Sequence, residues 1–339
     1  MPTIATLTDV FNGVGFDVVS LTKAVQKIPP FPSAIQRLGI FKPFPVSGTV
    51  VAVEEEHGVL TLIPTTTRGG AGIPGADPKR VLINLTVPHI QVDDKVFADD
   101  VLNKRAFGSE DTMAGAGEVV ARKFIAMRRS VDATMEYLRL GALQGIVTYP
   151  AGSVDAALNL YTVFGTTQQT ANFALNVGTT EVVEAIIPGV RRQMEDALGE
   201  VPLFGIHVLC GRTFFANLIS HAMVKALYNQ QQAMWALSPV TMGSNRKLVI
   251  GDVTFEEYYG VVGGVTFISA THAVAFPLAD IYQTCYAPAD YIEAIGSMGE
   301  SMYAWQKVAY DEKSVDLQTQ SNPLNICVRP RALVYCSNS

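Results

Sequence analysis

Apolar and polar positions change their period several times along the chain, and each change predicts an element. The first 45 residues show no sustained period. Pro29, Pro30, Pro32, Pro43 and Pro45 punctuate them, and Leu21–Ile28 has length for one or two helical turns. Apolar residues scattered through such an arm read as anchors for packing against something else. A period of two then sets in. Gly48–Glu56 and Val59–Ile63 are strand-like, joined at His57-Gly58, where glycine supplies a turn residue with positive φ. Thr65–Pro78 is rich in Gly, Thr and Pro and reads as a mobile loop tip. The chain returns through Val81, Ile83, Leu85 and Val87, alternating with Leu82, Asn84 and Thr86. The prediction is a long two-stranded excursion. Such a ribbon is marginal by itself, so a neighbouring subunit is expected to support it.

Beyond a polar stretch with Asp93, Asp94, Asp99 and Asp100 the period becomes helical. Val120, Phe124, Met127, Val131, Met135, Leu138 and Ala142 form one narrow stripe. Glu118, Arg122, Arg128, Arg129, Asp132, Glu136 and Arg139 fall on another face, with Glu118/Arg122 and Arg128/Asp132 as i,i+4 pairs of opposite charge. The spacing predicts a helix from about Thr112 to Leu143, ended by Gly145. A hairpin-like stretch follows to Gly165. From Thr180 the texture is α/β. Helices are predicted at Val182–Leu198, kinked or split by Pro188, and through Phe214–Leu227. Strands are predicted at His207–Cys210, Leu248–Ile250, Thr254–Glu257 and Val265–Ser269. Near the end, Val315, Leu317 and Thr319 share one face, and Leu324, Ile326 and Val328 share the next. The odd-to-even switch at Asn322-Pro323 predicts a bulge, in a strand that returns to the helix–strand region.

Composition narrows the class. The 339 residues are 48% hydrophobic and 17% charged, which excludes a disordered chain and allows about two domains. Charge is low for a soluble monomer, so much of the surface is expected to be covered by other chains. Net charge is 25 − 31 = −6, against a dedicated nucleic-acid binder. Cys210, Cys285, Cys327 and Cys336 show no CxxC spacing and read as reduced thiols. The N-terminus carries Asp9 and no basic region, unlike a signal peptide. Tyr258–Leu278 has no charged residue, yet its glycines, polar residues and Pro277 predict strand and turn and not a membrane span.

The search for chemistry finds no catalytic constellation, no cofactor site and no metal site. Gly70, Gly72 and Gly75 satisfy GxGxxG, but Pro74 and Pro78 block the helix that a dinucleotide site requires. His57 reads as a solvated turn residue, and His207 and His272 as core residues. No histidine, His89 and His221 included, forms a metal-ligand cluster. Cys210 reads as a buried strand thiol with a raised pKa. Asp93/Asp94, Asp99/Asp100 and Glu256/Glu257 read as surface charges, because adjacent strand residues point to opposite faces.

The order of elements, with several short runs, carries a resemblance. The runs are RGGAGIPG at Arg68–Gly75, RAFG at Arg105–Gly108, and Glu136-Tyr-Leu-Arg139 followed by GALQG. Val208–Gly211 with Phe214-Phe215, FEEYYG at Phe255–Gly260 and QSNPLNICVRP at Gln320–Pro330 complete them. In this order they resemble the lambda-type family of tailed-phage major capsid proteins, major capsid protein E.

The resemblance implies an α+β chain with the Hong Kong 97-type capsid fold. Its parts would be an N-terminal arm (1–46), an extended β-hairpin loop (47–89), a peripheral domain with a spine helix (90–180 and 311–339) and an axial domain (181–310). It implies a structural subunit, not an enzyme, forming hexamers and pentamers of an icosahedral virion shell around double-stranded DNA, through a procapsid that expands on packaging. Expected partners are a scaffolding protein as a separate chain, a portal, a maturation protease and a decoration protein. The DNA would be held without sequence-specific binding, with no membrane involved and assembly in the host cytoplasm. Residues expected to matter for assembly are Arg68, Gly70, Gly72, Gly75, Lys79, Arg105, Phe107, Phe124, Met127, Val131 and Leu138. Lys79 is the one lysine between Thr49 and Pro88 and so a cross-link candidate, although no isopeptide link is expected. The alternatives are a nanocompartment shell with the same fold and an α/β enzyme sited in 181–310.

Overall fold

The computed structural model describes residues 18–27, 33–57, 79–97, 100, 116–179, 181–225, 247–262, 265–310 and 313–338. Helix α1 (Val18–Lys27) is amphipathic, burying Leu21, Thr22 and Val25 at i, i+1 and i+4. Helix α2 (Ala34–Leu38) begins where Ser33 Oγ accepts the Gln36 amide, and ends at Gly39 in the left-handed region. Strand β1 (Lys42–Pro45) leads to β2 (Val50–His57), β3 (Lys79–Thr86) and β4 (Ile90–Phe97).

The spine helix α3 (Ala116–Gln144) has 29 residues, about 44 Å at 1.5 Å per residue. All seven stripe residues, Val120 to Ala142, are buried. Its N-terminal half packs with α1, Val96, Val315 and Leu317, and its C-terminal part joins Leu140 and Leu143 to the central core. Gly145 stops it at φ +79, where an added Cβ would lie 2.4 Å from the Tyr161 ring.

A minimal pair, β5 (Ile146–Val147) and β6 (Leu158–Asn159), precedes α4 (Leu160–Val163) and β7 (Gln169–Asn172). Pro188 does not interrupt the next helical stretch: a π-helical turn at Val182–Ile186 runs without a gap into α5 (Ile187–Leu198), where Pro188 stands in the first turn, which tolerates a residue without an amide hydrogen. There follow β8 (Ile206–Cys210), α6 (Arg212–Ser220), β9 (Lys247–Ile250), β10 (Val253–Glu257), β11 (Val261–Val262), β12 (Val265–Thr266), β13 (His272–Pro277), β14 (Tyr282–Tyr286), β15 (Tyr303–Val308), β16 (Ser314–Ser321), β17 (Pro323–Cys327) and β18 (Val334–Ser337).

Three sheets organise these strands. The largest runs β7-β18-β13-β8-β10-β9. Its β8 is buried along its whole length because both faces are covered: Ile206, Val208 and Cys210 face one core with α6, and Leu209 faces the other. A second sheet, β1-β14-β17, sits under the spine, and a third, β15-β16-β4, covers the N-terminal half of the spine.

The structure corrects several expectations. His57 is not a turn residue: it ends β2 opposite Lys79, and β2 pairs with β3 in a register that keeps Val51/Leu85 and Val53/Ile83 on one face. Gly58 and Val59–Ile63 lie outside the described residues. The bulge at Asn322-Pro323 is instead a change of sheet, since β16 pairs with β4 and β15 while β17 pairs with β14. Each side of Asn322 keeps its apolar face inward, against a different layer. Val265–Ser269 is a strand only at Val265–Thr266, because Ser269–Thr271 turn the chain into β13. Helix α6 ends at Ser220, His221 turns extended, and residues 222–225 are helical again. Strand pairing also regroups residues across the expected ranges: 303–308 joins the β4 sheet, while 169–172 and 334–337 extend the six-stranded sheet.

Candidate assembly surfaces and buried polar ties

Two kinds of feature stand out: a ribbon that leaves the body, and polar groups that tie distant segments together inside it. The ribbon β2–β3 forms a sheet of its own. Val51, Leu85 and Val87 root it in the central core. Val50 and Leu82, on the opposite face, are exposed. From Val51 the strand runs on for six residues, about 20 Å, to His57. Among the described residues both edges of this ribbon are unpaired, and with Val50 and Leu82 exposed it presents a surface for another chain.

The first tie is Glu136, expected on the charged face of the spine and found buried. Its Oε1 accepts the Ile35 amide at 3.1 Å and the Tyr258 hydroxyl at 3.4 Å, so it joins α2, α3 and the segment after β10. Burial pushes its carboxyl up, opposed by its hydrogen bonds and by Arg139.

The second tie is Glu256, expected at the surface and found without exposure. Arg37 of α2 bonds it, Lys247 directly opposite on β9 lies 3.1 Å away, and His207 on β8 lies 3.2 Å away. Glu257, not Glu256, takes the other side of the strand. Adjacent strand residues do point to opposite faces, but alternation alone does not fix which face is covered.

The third tie is at Asn322. Its Nδ2 donates to the Pro288 carbonyl at 2.8 Å, its carbonyl accepts the Ala287 amide at 3.0 Å, and its Oδ1 lies 3.0 Å from His89 Nδ1. His89, between β3 and β4, therefore meets the point where the chain changes sheet. His272 is half-buried, stacked on Tyr335.

A cleft of about 130 Å³ opens on the spine, lined by Gln36, Arg128, Val131, Asp132, Met135, Arg139, Tyr286, Ser301 and Met302. On the third sheet, the face turned away from the spine is a polar ladder. It includes Lys95–Asp316 at 3.3 Å and Gln318 to Asp93 at 3.0 Å, beside Tyr291 stacked on Trp305. Ile292, Ile295 and Met298 are exposed in the loop between β14 and β15.

Of the residues expected to matter for assembly, Phe124, Met127, Val131 and Leu138 pack inside the subunit, so they act on assembly through the fold. Lys79 begins β3 opposite His57. Arg68, Gly70, Gly72, Gly75, Arg105 and Phe107 lie outside the described residues. Among the described residues there is no metal-ligating group of three or more and no helix long and apolar enough to cross a membrane. All four cysteines are buried free thiols. Sequence reasoning missed Glu136, Glu256, Asn322 and the paired arginines of the cleft. The runs at Glu136–Arg139, Phe255–Gly260 and Gln320–Pro330 contained three of these features without revealing their roles.

Solved structures similar to this chain include phage capsids. The chain superposes on the capsid of cyanophage P-SCSP1u with a TM-score of 0.51 at 10% identity, covering 92% of this chain and 89% of that one. The Mycobacterium phage Bobi structure gives 0.51 at 8% identity, covering 95% and 98%. The PhiM1 mature capsid gives 0.50 at 14% identity, covering 88% and 84%. The architecture is thus the Hong Kong 97-type fold of phage capsid proteins. Within that class the chain belongs to the phage major capsid protein E family, whose model matches residues 17–337. Its sequence is 26% identical to the major capsid protein of Pseudomonas phage KPP10, over 94% of this chain and 96% of that protein. It is 25% identical to that of Salmonella phage Felix O1, over 94% and 95%. Its role is that of a structural capsid subunit and not of an enzyme.

Proposed function

We propose that copies of this chain assemble as hexamers and pentamers into an icosahedral shell around double-stranded DNA, first as a procapsid that expands on packaging. The observation that carries this reading is the β2–β3 ribbon, rooted by Val51 and Leu85 and paired with no other strand of its own subunit among the described residues. In this reading residues 1–46 are the arm, 47–89 the loop over a neighbour, and 90–180 with 311–339 the peripheral domain. Residues 181–310 are the axial domain. A separate scaffolding protein, a portal and a maturation protease act during assembly in the host cytoplasm, and a decoration protein binds the finished shell. A net charge of −6 suits enclosed DNA that is not bound by sequence.

The test is negative-stain microscopy and sedimentation of the chain expressed alone and with its genomic neighbours. Capsomers or closed particles are expected. A sharp monomer under both conditions at micromolar concentration would overturn the reading.

A further inference from the structure

The loop between β14 and β15 turns large apolar side chains to solvent and holds them there. Ile292 is 87% exposed, Ile295 78% and Met298 57%. Single exposed apolar residues are ordinary, whereas a cluster of them marks an interaction site. The backbone fixes this display. A 3-10 turn at Ile292–Ala294 is closed by the Ile295 amide on the Ile292 carbonyl at 3.3 Å, and residues three apart in such a turn stand on one side. The Ser297 amide and hydroxyl both donate to the Ala294 carbonyl, at 3.1 and 2.7 Å. The Gly299 amide donates to the Val46 carbonyl at 2.9 Å, and the Glu300 amide to the Tyr303 hydroxyl at 2.8 Å. Gly296 has φ +78, and an added Cβ at Gly299 would stand 2.0 Å from the Tyr286 carbonyl oxygen. A knob fixed in this way loses little conformational freedom on docking.

The knob is also acidic. From Ala287 to Gln306 the sequence holds Asp290, Glu293 and Glu300 and no lysine or arginine. Its complement is an apolar surface that carries a cation, and the region after β10 is such a surface. Tyr259 and Val261 are exposed there, as is Thr266, which stands opposite Val261 across the β11–β12 pair. The exposed Arg212 guanidinium lies 3.9 Å over the Tyr259 ring. From Tyr258 to Leu278 the sequence has no acidic residue. A capsid subunit meets copies of itself, so both halves of this contact are present on every chain. We propose that Ile292, Ile295 and Met298 dock on Tyr259 and Val261 of a second copy, with Asp290 and Glu293 toward that copy's Arg212. The two halves differ, so each subunit offers a knob to one neighbour and a seat to another, and contacts of this kind close into rings. This rests on the shell reading above and goes beyond it by naming the residues of one subunit contact.

The test uses full-length chain assembled with its genomic neighbours. The four native cysteines are buried, so thiols introduced at exposed positions report alone. In particles of Ile295→Cys the introduced thiol should lose most of the maleimide reactivity that it has in subunits dissociated from them. A short bis-maleimide added to particles of Val261→Cys/Ile295→Cys should give dimers and ladders on a denaturing gel that neither single variant gives. A thiol that stays reactive in particles, chains that stay monomeric, or a link closed within one chain would overturn the contact. A protected thiol without ladders would show a different occupant and overturn it too. Arg212→Glu should lower particle yield about tenfold with unchanged subunit solubility, the scale for one lost charge-assisted contact, and adding Glu293→Arg should restore it. An unchanged yield, or a loss that the charge exchange does not recover, would also overturn the contact, and these variants decide if the cysteine chains do not assemble. A wild-type chain that forms no particles would instead remove the shell reading, and this contact with it.

Discussion

The Ile35 amide donates to Glu136 Oε1 at 3.1 Å, across 101 residues of sequence and in a buried setting. One carboxylate of the spine thereby caps the short helix of the arm. The same oxygen takes the Tyr258 hydroxyl from beyond the six-stranded sheet. Burying a carboxyl is unfavourable, so this tie has a pH signature.

Glu136 has its folded-state pKa raised above 4.5 by desolvation. Just above that pH the folded chain retains a proton that the unfolded chain has released. Stability from this group is therefore full below the unfolded pKa and declines as pH rises through the folded one. Glu136→Gln keeps the acceptor oxygen and removes the titration. The melting temperature of Glu136→Gln minus that of wild type should increase between about pH 4 and about pH 7. A constant difference would show that Glu136 titrates normally.

The Glu256 cluster predicts an asymmetry. Glu256 has no exposure, whereas the side chains of Arg37 and Lys247 are 49% and 40% exposed. Without Glu256 the two cations can turn to water. Without both cations the carboxylate remains buried beside His207, and breaking a buried pair this way costs about 3–5 kcal/mol. Arg37→Ala/Lys247→Ala should be the more destabilising change, Glu256→Gln the milder one, and the triple variant should recover stability relative to the double. Denaturant unfolding checks the order.

Replacing Phe124 or Leu138 with Asp should abolish soluble subunit and particles alike. Both are buried in the stripe of the spine. An unpaired carboxylate there costs several kcal/mol, against a total stability of about 5–15. Arg122 is exposed on the charged face, and Arg122→Ala should leave particle yield within about twofold, since one surface pair contributes about 0.2–0.5 kcal/mol. Sedimentation of co-expressed particles reads both outcomes.

Gly211 precedes α6, and an added Cβ would stand 2.2 Å from the Ser269 carbonyl oxygen and 2.7 Å from that of Ala270. These are backbone atoms, which do not move aside as a side chain does. Gly211→Ala should cost at least about 2 kcal/mol and lower the melting temperature accordingly. Gly178→Ala, with open space around it, serves as the control.

The native thiols should be silent. Burial pushes Cys285 up to about 11 and Cys327 and Cys336 up to about 12, and Cys210 is raised as well. A thiol reagent at neutral pH should label none in the folded chain and all four after denaturation. Rapid labelling of one cysteine would locate an opening of its core.

Elements whose period is set locally can be read from the order of residues alone. The stripe from Val120 to Ala142, the alternation through Val81–Val87 and the run of short family motifs all depend on residues a few positions apart. So does the buried state of Cys210, with apolar neighbours in its strand. What covers each face depends on long-range packing. Glu136 looked like one more residue of a charged face until α2 and Tyr258 came to rest on it, and Glu256 until Arg37, Lys247 and His207 gathered around it. The shift from odd to even at Asn322 was legible, but a bulge and a change of sheet produce the same shift. The difference lies in β4 and β14, more than 200 and about 40 residues away in sequence. The cleft is similar: Arg128 and Arg139 share one helix, but Gln36, Tyr286 and Met302 reach it from three other segments. Periodicity reports which side of an element is apolar. Which polar groups end up enclosed depends on the partners that long-range packing brings, and those determine whether a charge is solvated, paired or left waiting for another subunit.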